Sequence, residues 1–211
     1  HLGATVDANG QGSLTRDPEV ARPYIDDFLR RYNTDYIDVL NLHNIDSQQD
    51  YDRVMQGGLL DLAIAYKEQG VARAIGFSGH TVATALQAVE SGHIDVLMFP
   101  INLAGHAIPG KRRLLEACAR HNLGLVAMKP YAGGSLFMRE RTITVEDFRA
   151  GGHDVTIEKT LPITPVQCLS YVLAQAGVST AVPGVKDLEQ LAAAQAYWQA
   201  SEEERDYSPV L

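Results

Sequence analysis

The strongest constraint in this chain is the run Asp35-Tyr36-Ile37-Asp38-Val39-Leu40-Asn41-Leu42-His43-Asn44. It is short, almost continuously apolar, and ends in His43 and Asn44. A run of this length reads as a strand buried on both faces, as in a parallel sheet. Polar groups that appear only where the strand stops match a barrel, whose chemistry sits at the carboxyl ends of its strands. The pattern puts His43 in a pocket and predicts that the other polar strand ends face it too.

The rest of the chain repeats that unit. Residues 1–4 read as the end of a strand and residues 5–16 as a polar, glycine-rich loop. Asp17-Pro18 caps and starts a helix, which Pro23 is expected to kink or delay. A polar loop follows His43, and Gly57-Gly58 then opens a helix that Gly70 ends. Strands are predicted at 71–77, 95–99, 125–128 and 179–182. They close with Ser78-Gly79-His80, with Pro100-Ile101-Asn102, with Lys129-Pro130-Tyr131 and with Pro183-Gly184. Helices are predicted after Thr81, over 111–121, after Thr164-Pro165 and after Asp187. Ser201 with Glu204 makes a capping box for a last short helix. A long insertion of loop character spans about 132–163. Such alternation means a parallel sheet with covering helices. An open doubly wound sheet is one solution. A (β/α)8 TIM-type barrel is favoured, because every strand ends in a polar or Gly/Pro cluster. About six units are present where a barrel needs eight. The expectation is an incomplete barrel lacking its first strands, folded as a single domain over 1–211.

Composition narrows the class. The chain has 211 residues, is 45% hydrophobic and 21% charged, and carries a net charge of −8. No basic stripe is present, which argues against nucleic acid as a partner. No stretch approaches the roughly 20 apolar residues of a membrane span, and no secretory signal is visible. Cys118 and Cys168 lie in apolar helical patterns and read as buried free thiols in a reducing, cytoplasmic setting. The histidines show no metal-ligand spacing, so no metal site is expected. Asp38 is expected to point inward as a hydrogen-bond acceptor, and Lys111-Arg112-Arg113 to form a solvated helix face.

Taken together, residues 36–43, Ala74-Ile75-Gly76-Phe77-Ser78, Thr164-Pro165-Val166-Gln167 and Val182-Pro183-Gly184 resemble the aldo-keto reductase family. Gly79-His80 after Ser78 resembles a branch associated with iron–sulfur segments, although no cysteine cluster is present. The resemblance implies a barrel that binds NADP(H) or NAD(H) and reduces carbonyls, or oxidises alcohols, by direct hydride transfer. It implies four catalytic groups: an aspartate, a tyrosine acid, a lysine and a histidine. By position His43 is the histidine, hydrogen-bonding the carbonyl oxygen and stabilising the developing alkoxide. His1 stands at the lysine position, while the aspartate and tyrosine belong upstream of it. Ser78 and Asn102 match positions that hold the nicotinamide carboxamide. Gly79 stands where the family usually has asparagine, and Met128 where an aromatic covers the nicotinamide ring. Lys129, Tyr131 and Gly133 match the loop that meets the pyrophosphate. Pro183, Gly184, Val185, Lys186 and Gln190 match the segment that meets the adenosine phosphate. Lys186 as a point charge for a 2′-phosphate favours NADP(H) over NAD(H). Ala193 and Ala194 stand where a Glu-Asn pair often holds adenine.

Each of these residues also has a purely structural role to weigh. Ser78 could cap the helix after Thr81, Asn102 could be a turn residue, and Lys129 an ion-pair partner. Three functions therefore stay open. The first is a nicotinamide-dependent oxidoreductase acting on a small-molecule carbonyl or alcohol. The second is a catalytically weak, reductase-like barrel that binds a nucleotide or a partner protein. The third is an unrelated barrel enzyme such as a lyase, which would need a catalytic lysine or a metal cluster at the strand ends; only Lys129 is placed for the former, and the sequence shows no cluster for the latter. Oligomeric state is not readable.

Overall fold

A computed structural model describes residues 1–137, 143–144, 154–155 and 162–211. The chain divides into two compact units, residues 1–97 and 98–211.

The first unit opens with a hairpin rather than the expected loop: β1 (Ala4–Val6) pairs antiparallel with β2 (Gly12–Leu14). Asp7 is the reason. Its carboxylate accepts from the backbone N–H of Asn9 at 2.8 Å and of Gln11 at 2.9 Å, closing the turn between them. Helix α1 (Pro18–Tyr32) starts at Asp17, whose side chain accepts from Glu19 N. Pro23 lies inside α1 without delaying its start, so the helix forgoes one backbone bond there.

Strand β3 (Ile37–Leu42) follows and pairs in parallel with β4 (Ala72–Ser78), setting Val39 opposite Ala74 and Leu42 opposite Phe77. Leu40, Asn41 and Leu42 are buried in succession, as two-sided burial requires. Asp38 corrects the inward expectation. The start of β3 reaches solvent, where Asp38 pairs with Arg73 at 2.8 Å, and both side chains are mostly exposed. Such a pair contributes roughly 0–1 kcal/mol. Between the two strands lie α2 (Gln48–Gln56) and α3 (Leu59–Glu68). Helix α2 replaces the expected polar loop. Ser47 caps it by accepting from Asp50 N, and Val54 alone in α2 is buried, so its apolar stripe is too thin to show in the sequence. Helix α4 (Val82–Glu90) and β5 (Val96–Pro100), in which the boundary between the units falls, complete the alternation. Leu2, Leu40, Leu42, Ile45, Leu59 and Phe77 are fully buried in this unit. Each contributes about 1.5–3 kcal/mol by leaving water.

In the second unit, α5 (Lys111–Arg120) leads to β6 (Gly124–Met128). Within the expected insertion, residues 132–137 form 3-10 turns, and β7 (Ile143–Thr144) pairs antiparallel with β8 (Asp154–Val155). The remainder of that insertion lies outside the described residues. Helix α6 (Pro165–Leu173) begins with a full Thr164/Gln167 capping box. Strand β9 (Val178–Val182) then pairs in parallel with β6. Helices α7 (Leu188–Gln195) and α8 (Glu202–Arg205) close the chain, α8 with the expected Ser201/Glu204 box. Cys118 and Cys168 are buried free thiols, and burial pushes the Cys118 thiol up to about 11.

Lys111 corrects the expectation of a solvated face. Arg112 is exposed, but Lys111 is only 4% exposed. Its ammonium donates to Gly105 O at 2.7 Å and to the Tyr171 hydroxyl at 2.9 Å, which lies 3.0 Å from His106 Nδ1. No ion pair to Lys111 occurs among the described residues, so burial lowers its pKa to about 8. A lysine whose pKa falls on folding penalises the native state whenever it must stay charged. That penalty is complete below the folded value and absent above the unfolded one. The contribution of Lys111 to the free energy of unfolding should therefore rise between pH 8 and 10.5, by up to about 3 kcal/mol. In denaturant unfolding, the stability of the wild type minus that of Lys111→Met should rise by that amount across the range, whatever the buried thiol and phenols add to both curves.

Candidate functional site

Chemistry-bearing side chains collect at the carboxyl end of β3 in the first unit. His43 is pinned there on three sides. Its N–H donates to Leu2 O at 3.1 Å, and its carbonyl accepts from Arg16 Nη1 at 2.8 Å. Its Nδ1 lies 3.3 Å from Ser78 Oγ, which also accepts from Asn44 N at 3.2 Å. A hydroxyl that accepts from an N–H keeps its own proton to give. Donated to Nδ1, that proton fixes the ring proton on Nε2 and makes Nε2–H a donor for an incoming oxygen. Burial, and then neighbouring positive charge including Arg16, hold the His43 pKa below its ordinary value. Both effects favour the neutral imidazole. The His1 ring packs against it, with centroids 4.3 Å apart. The two residues expected to be catalytic are thus brought together, while Ser78 meets His43 and Asn44 and leaves the cap of α4 to Thr81.

Sequence reasoning missed the pair next to it. His80 Nδ1 lies 3.0 Å from an Asp46 carboxylate oxygen, and His80 N donates to the other at 2.5 Å. Ile45 N donates to Ser78 O, and the Thr81 hydroxyl donates to Asp46 O at 2.8 Å. Residues 43–46 and 78–81 are therefore clipped together along their length. Gly79 sits inside the clip, and a Cβ there would stand 2.6 Å from Ile45 O. Its missing side chain is a matter of room, whatever else an asparagine would supply.

The second unit holds a cleft of about 670 Å³, within the range of small-molecule sites. Met128, Lys129, Tyr131 and Gly133 line it from the segment that follows β6. Pro183, Gly184, Val185 and Lys186 line it after β9, and Gln190 and Ala193 line it from α7. Lys129 and Ala132 hold positive φ of 53° and 50°, an unfavourable backbone for residues with side chains, which bends this loop sharply. Gln190 is engaged at both ends of its amide: Oε1 accepts from Lys186 N at 3.0 Å, and Nε2 donates to Asp187 at 3.1 Å. It shapes the 186–190 turn. Tyr131 Oη is buried with no hydrogen-bond partner among the described residues, and burial pushes its pKa up to about 12. Asn102 does not line the cleft. Its amide donates to Lys129 O at 3.0 Å and accepts from Gly105 N at 2.9 Å. Ala194 is buried, which leaves Ala193 to line the cleft.

No helix among the described residues is long and apolar enough to cross a membrane. Residues 7–208 match the family model of the aldo/keto reductase family. The chain is 26% identical over 176 residues to the uncharacterized oxidoreductase YqkF of Bacillus subtilis (strain 168), covering 77% of this chain and 55% of that protein. It thus spans about half the length of that curated relative. Its fold is similar to the aldo-keto reductase AKR11C1 of Bacillus halodurans in its holo form: TM-score 0.62, 21% identity, 90% of this chain and 66% of that one. It is also similar to the glycerol dehydrogenase AKR11B4 of Gluconobacter oxydans: TM-score 0.64, 19% identity, 97% of this chain and 68% of that one. These likenesses show the (β/α)8 barrel fold, of which the chain carries the alternating strands and helices described above.

The clip around Gly79 makes a definite prediction. Gly79→Asn forces a side chain against the Ile45 carbonyl and should destabilise the protein by about 1–3 kcal/mol, the usual cost of overpacking. Urea unfolding reads this directly, and a midpoint equal to wild type would refute the close approach.

Proposed function

The chain belongs to the aldo/keto reductase family, and from that premise we propose that it serves an NADP(H)-dependent oxidoreductase. The reaction is reduction of a small-molecule carbonyl, or oxidation of an alcohol, by hydride transfer. The observation that carries this reading is the cleft of the second unit. Nine of the residues expected to meet the cofactor line it together: Met128, Lys129, Tyr131, Gly133, Pro183, Gly184, Val185, Lys186 and Gln190.

The residues present fit a dinucleotide. The unpartnered Tyr131 hydroxyl offers a buried donor or acceptor at the wall. Lys186 is exposed, and no ion pair to it occurs among the described residues, so its ammonium is available to a 2′-phosphate. Met128 offers a polarizable face for a flat ring. When bound, the nicotinamide supplies or accepts the hydride. The part of His43 is to meet the substrate oxygen through Nε2–H and to stabilise the negative charge that develops there. A neutral imidazole suits this role, since it donates a hydrogen bond without surrendering a full proton. Ser78 serves that reading by fixing the ring, and the His1 ring packs beside it.

The alternative is a barrel that holds a nucleotide, or a partner protein, with little turnover. Asn102 supports it, because its amide is already engaged by Lys129 O and Gly105 N. Ala194 supports it too, because its burial leaves no polar group there for adenine.

Titration of NADPH and NADH into the full-length protein, followed by nicotinamide fluorescence, separates these readings. NADPH should bind more tightly than NADH, and Lys186→Ala should erase about tenfold of that preference. His43→Ala should lower kcat on a carbonyl substrate by about a hundredfold and leave cofactor affinity unchanged. Binding without turnover across a broad carbonyl and alcohol panel would favour the binding module. No binding of either nucleotide by the folded protein would overturn the proposal.

A further inference from the structure

Arg16 meets the His43 carbonyl, and its guanidinium is among the most fully engaged groups in the first unit. Its side chain is only 12% exposed. Nε and Nη2 grip the Asp50 carboxylate at 3.0 and 2.6 Å. Nη1 donates to His43 O at 2.8 Å, and Nη2 also donates to Asn44 O at 2.9 Å. These are the two carbonyls at which the chain leaves β3. Asn44 turns there with a φ of 55°. Beyond the end of the strand such carbonyls need partners from outside the ladder, and a planar fork can meet two of them while resting on a carboxylate. Gly3 leaves the space: a Cβ at Gly3 would stand 3.3 Å from Arg16 Nη1.

We propose that Arg16, anchored by Asp50, is the positioning residue of this site, fixing the backbone from which His43 presents its imidazole to the substrate oxygen. The inference rests on His43 meeting that oxygen, as proposed above. A simple glue between the hairpin and α2 would need only the pair with Asp50. The two further bonds go to the backbone of His43 and of its neighbour. Together with Leu2 O on the N–H and Ser78 on the ring, they leave His43 little freedom to shift. Misplacing a reacting group by about 1 Å costs on the order of a hundredfold in rate, so a fixed backbone here bears on turnover. Arg16 also adds a permanent positive charge beside the ring. The other groups that act on His43 are the ring of His1, together with His80 and Asp46. Among them only the Asp46 carboxylate favours the imidazolium, and it is engaged with His80.

The test uses the full-length protein and two readouts: steady-state kinetics, and an NMR titration of 13C-labelled His43. Arg16→Lys keeps the charge and loses the fork. It should lower kcat about tenfold or more, leave the cofactor KM unchanged, and leave the His43 titration close to wild type. Arg16→Ala should lower kcat equally and move the His43 titration to higher pH, because removing a cation favours the imidazolium. Asp50→Asn removes the counter-charge and should move that titration to lower pH. A loss of kcat in Arg16→Lys with the cofactor KM, the fold and the His43 titration all as in wild type is what a merely structural role would not produce. If Arg16→Ala does not fold, the lysine and Asp50 variants carry the test. Wild-type kcat in Arg16→Lys, or an unmoved His43 titration in both charge-changing variants, would overturn the inference. Undiminished turnover in His43→Ala would instead remove the role given to His43. The titration arms would still report whether Arg16 holds that residue, so the two failures can be told apart.

Discussion

The parallel pairing of β3 with β4 is the constraint on which the first unit depends. It sets Leu42 opposite Phe77 and so brings the carboxyl ends of both strands to the same level. Only then do residues 43–46 lie along residues 78–81, close enough for Ser78 to meet His43 and for Asp46 to meet His80. A slip of one residue would turn every side chain of β3 to its other face and break each of these contacts. The ladder is held by apolar burial, since Leu40, Leu42 and Phe77 are fully buried. The polar groups at the strand ends are thus positioned by a core that contains little polar chemistry of its own.

The second unit uses a different device. Its cleft is shaped by backbone bends and turn contacts more than by side-chain pairing. Lys129 and Ala132 adopt left-handed conformations, and Gln190 ties the turn after β9 to the start of α7. Lys111 supports the same unit from within, donating to Gly105 O, while Gly105 N donates to the Asn102 amide, which holds Lys129 O. A buried ammonium without a carboxylate is a costly support. Its bonds fall on a backbone carbonyl and a hydroxyl, neither of which carries a charge to offset its own.

How much of this is legible in the sequence depends on the range of the interaction. The alternation of strands and helices is, because hydrophobic runs and caps are local: Asp17, Thr164 with Gln167, and Ser201 with Glu204 all cap as their spacing implies. His43 is legible as the polar end of an apolar run. Helix α2 is not, because Val54 is its one buried residue and an amphipathic stripe needs several. The β1–β2 hairpin is hidden in a glycine-rich stretch whose turn depends on one carboxylate, Asp7. Asp46 and His80 are 34 residues apart, and Lys111 and Tyr171 are 60 apart. No local pattern links such pairs. Lys111 even imitates a solvated face, since the two arginines beside it resemble it in charge and are not buried. The cleft stands between these cases. Its residues are recognisable as a set only through resemblance to a family, and their convergence is a property of the fold.

The bent loop from Lys129 to Gly134 carries a consequence for stability. Left-handed backbone at a lysine and an alanine stores strain of order 1 kcal/mol or more at each. A glycine would adopt the same backbone without that cost, as Gly133 and Gly134 do at the next two positions. The bend at Lys129 and Ala132 is therefore held against local preference by the packing around it, and stability is given up there for the shape of the cleft wall.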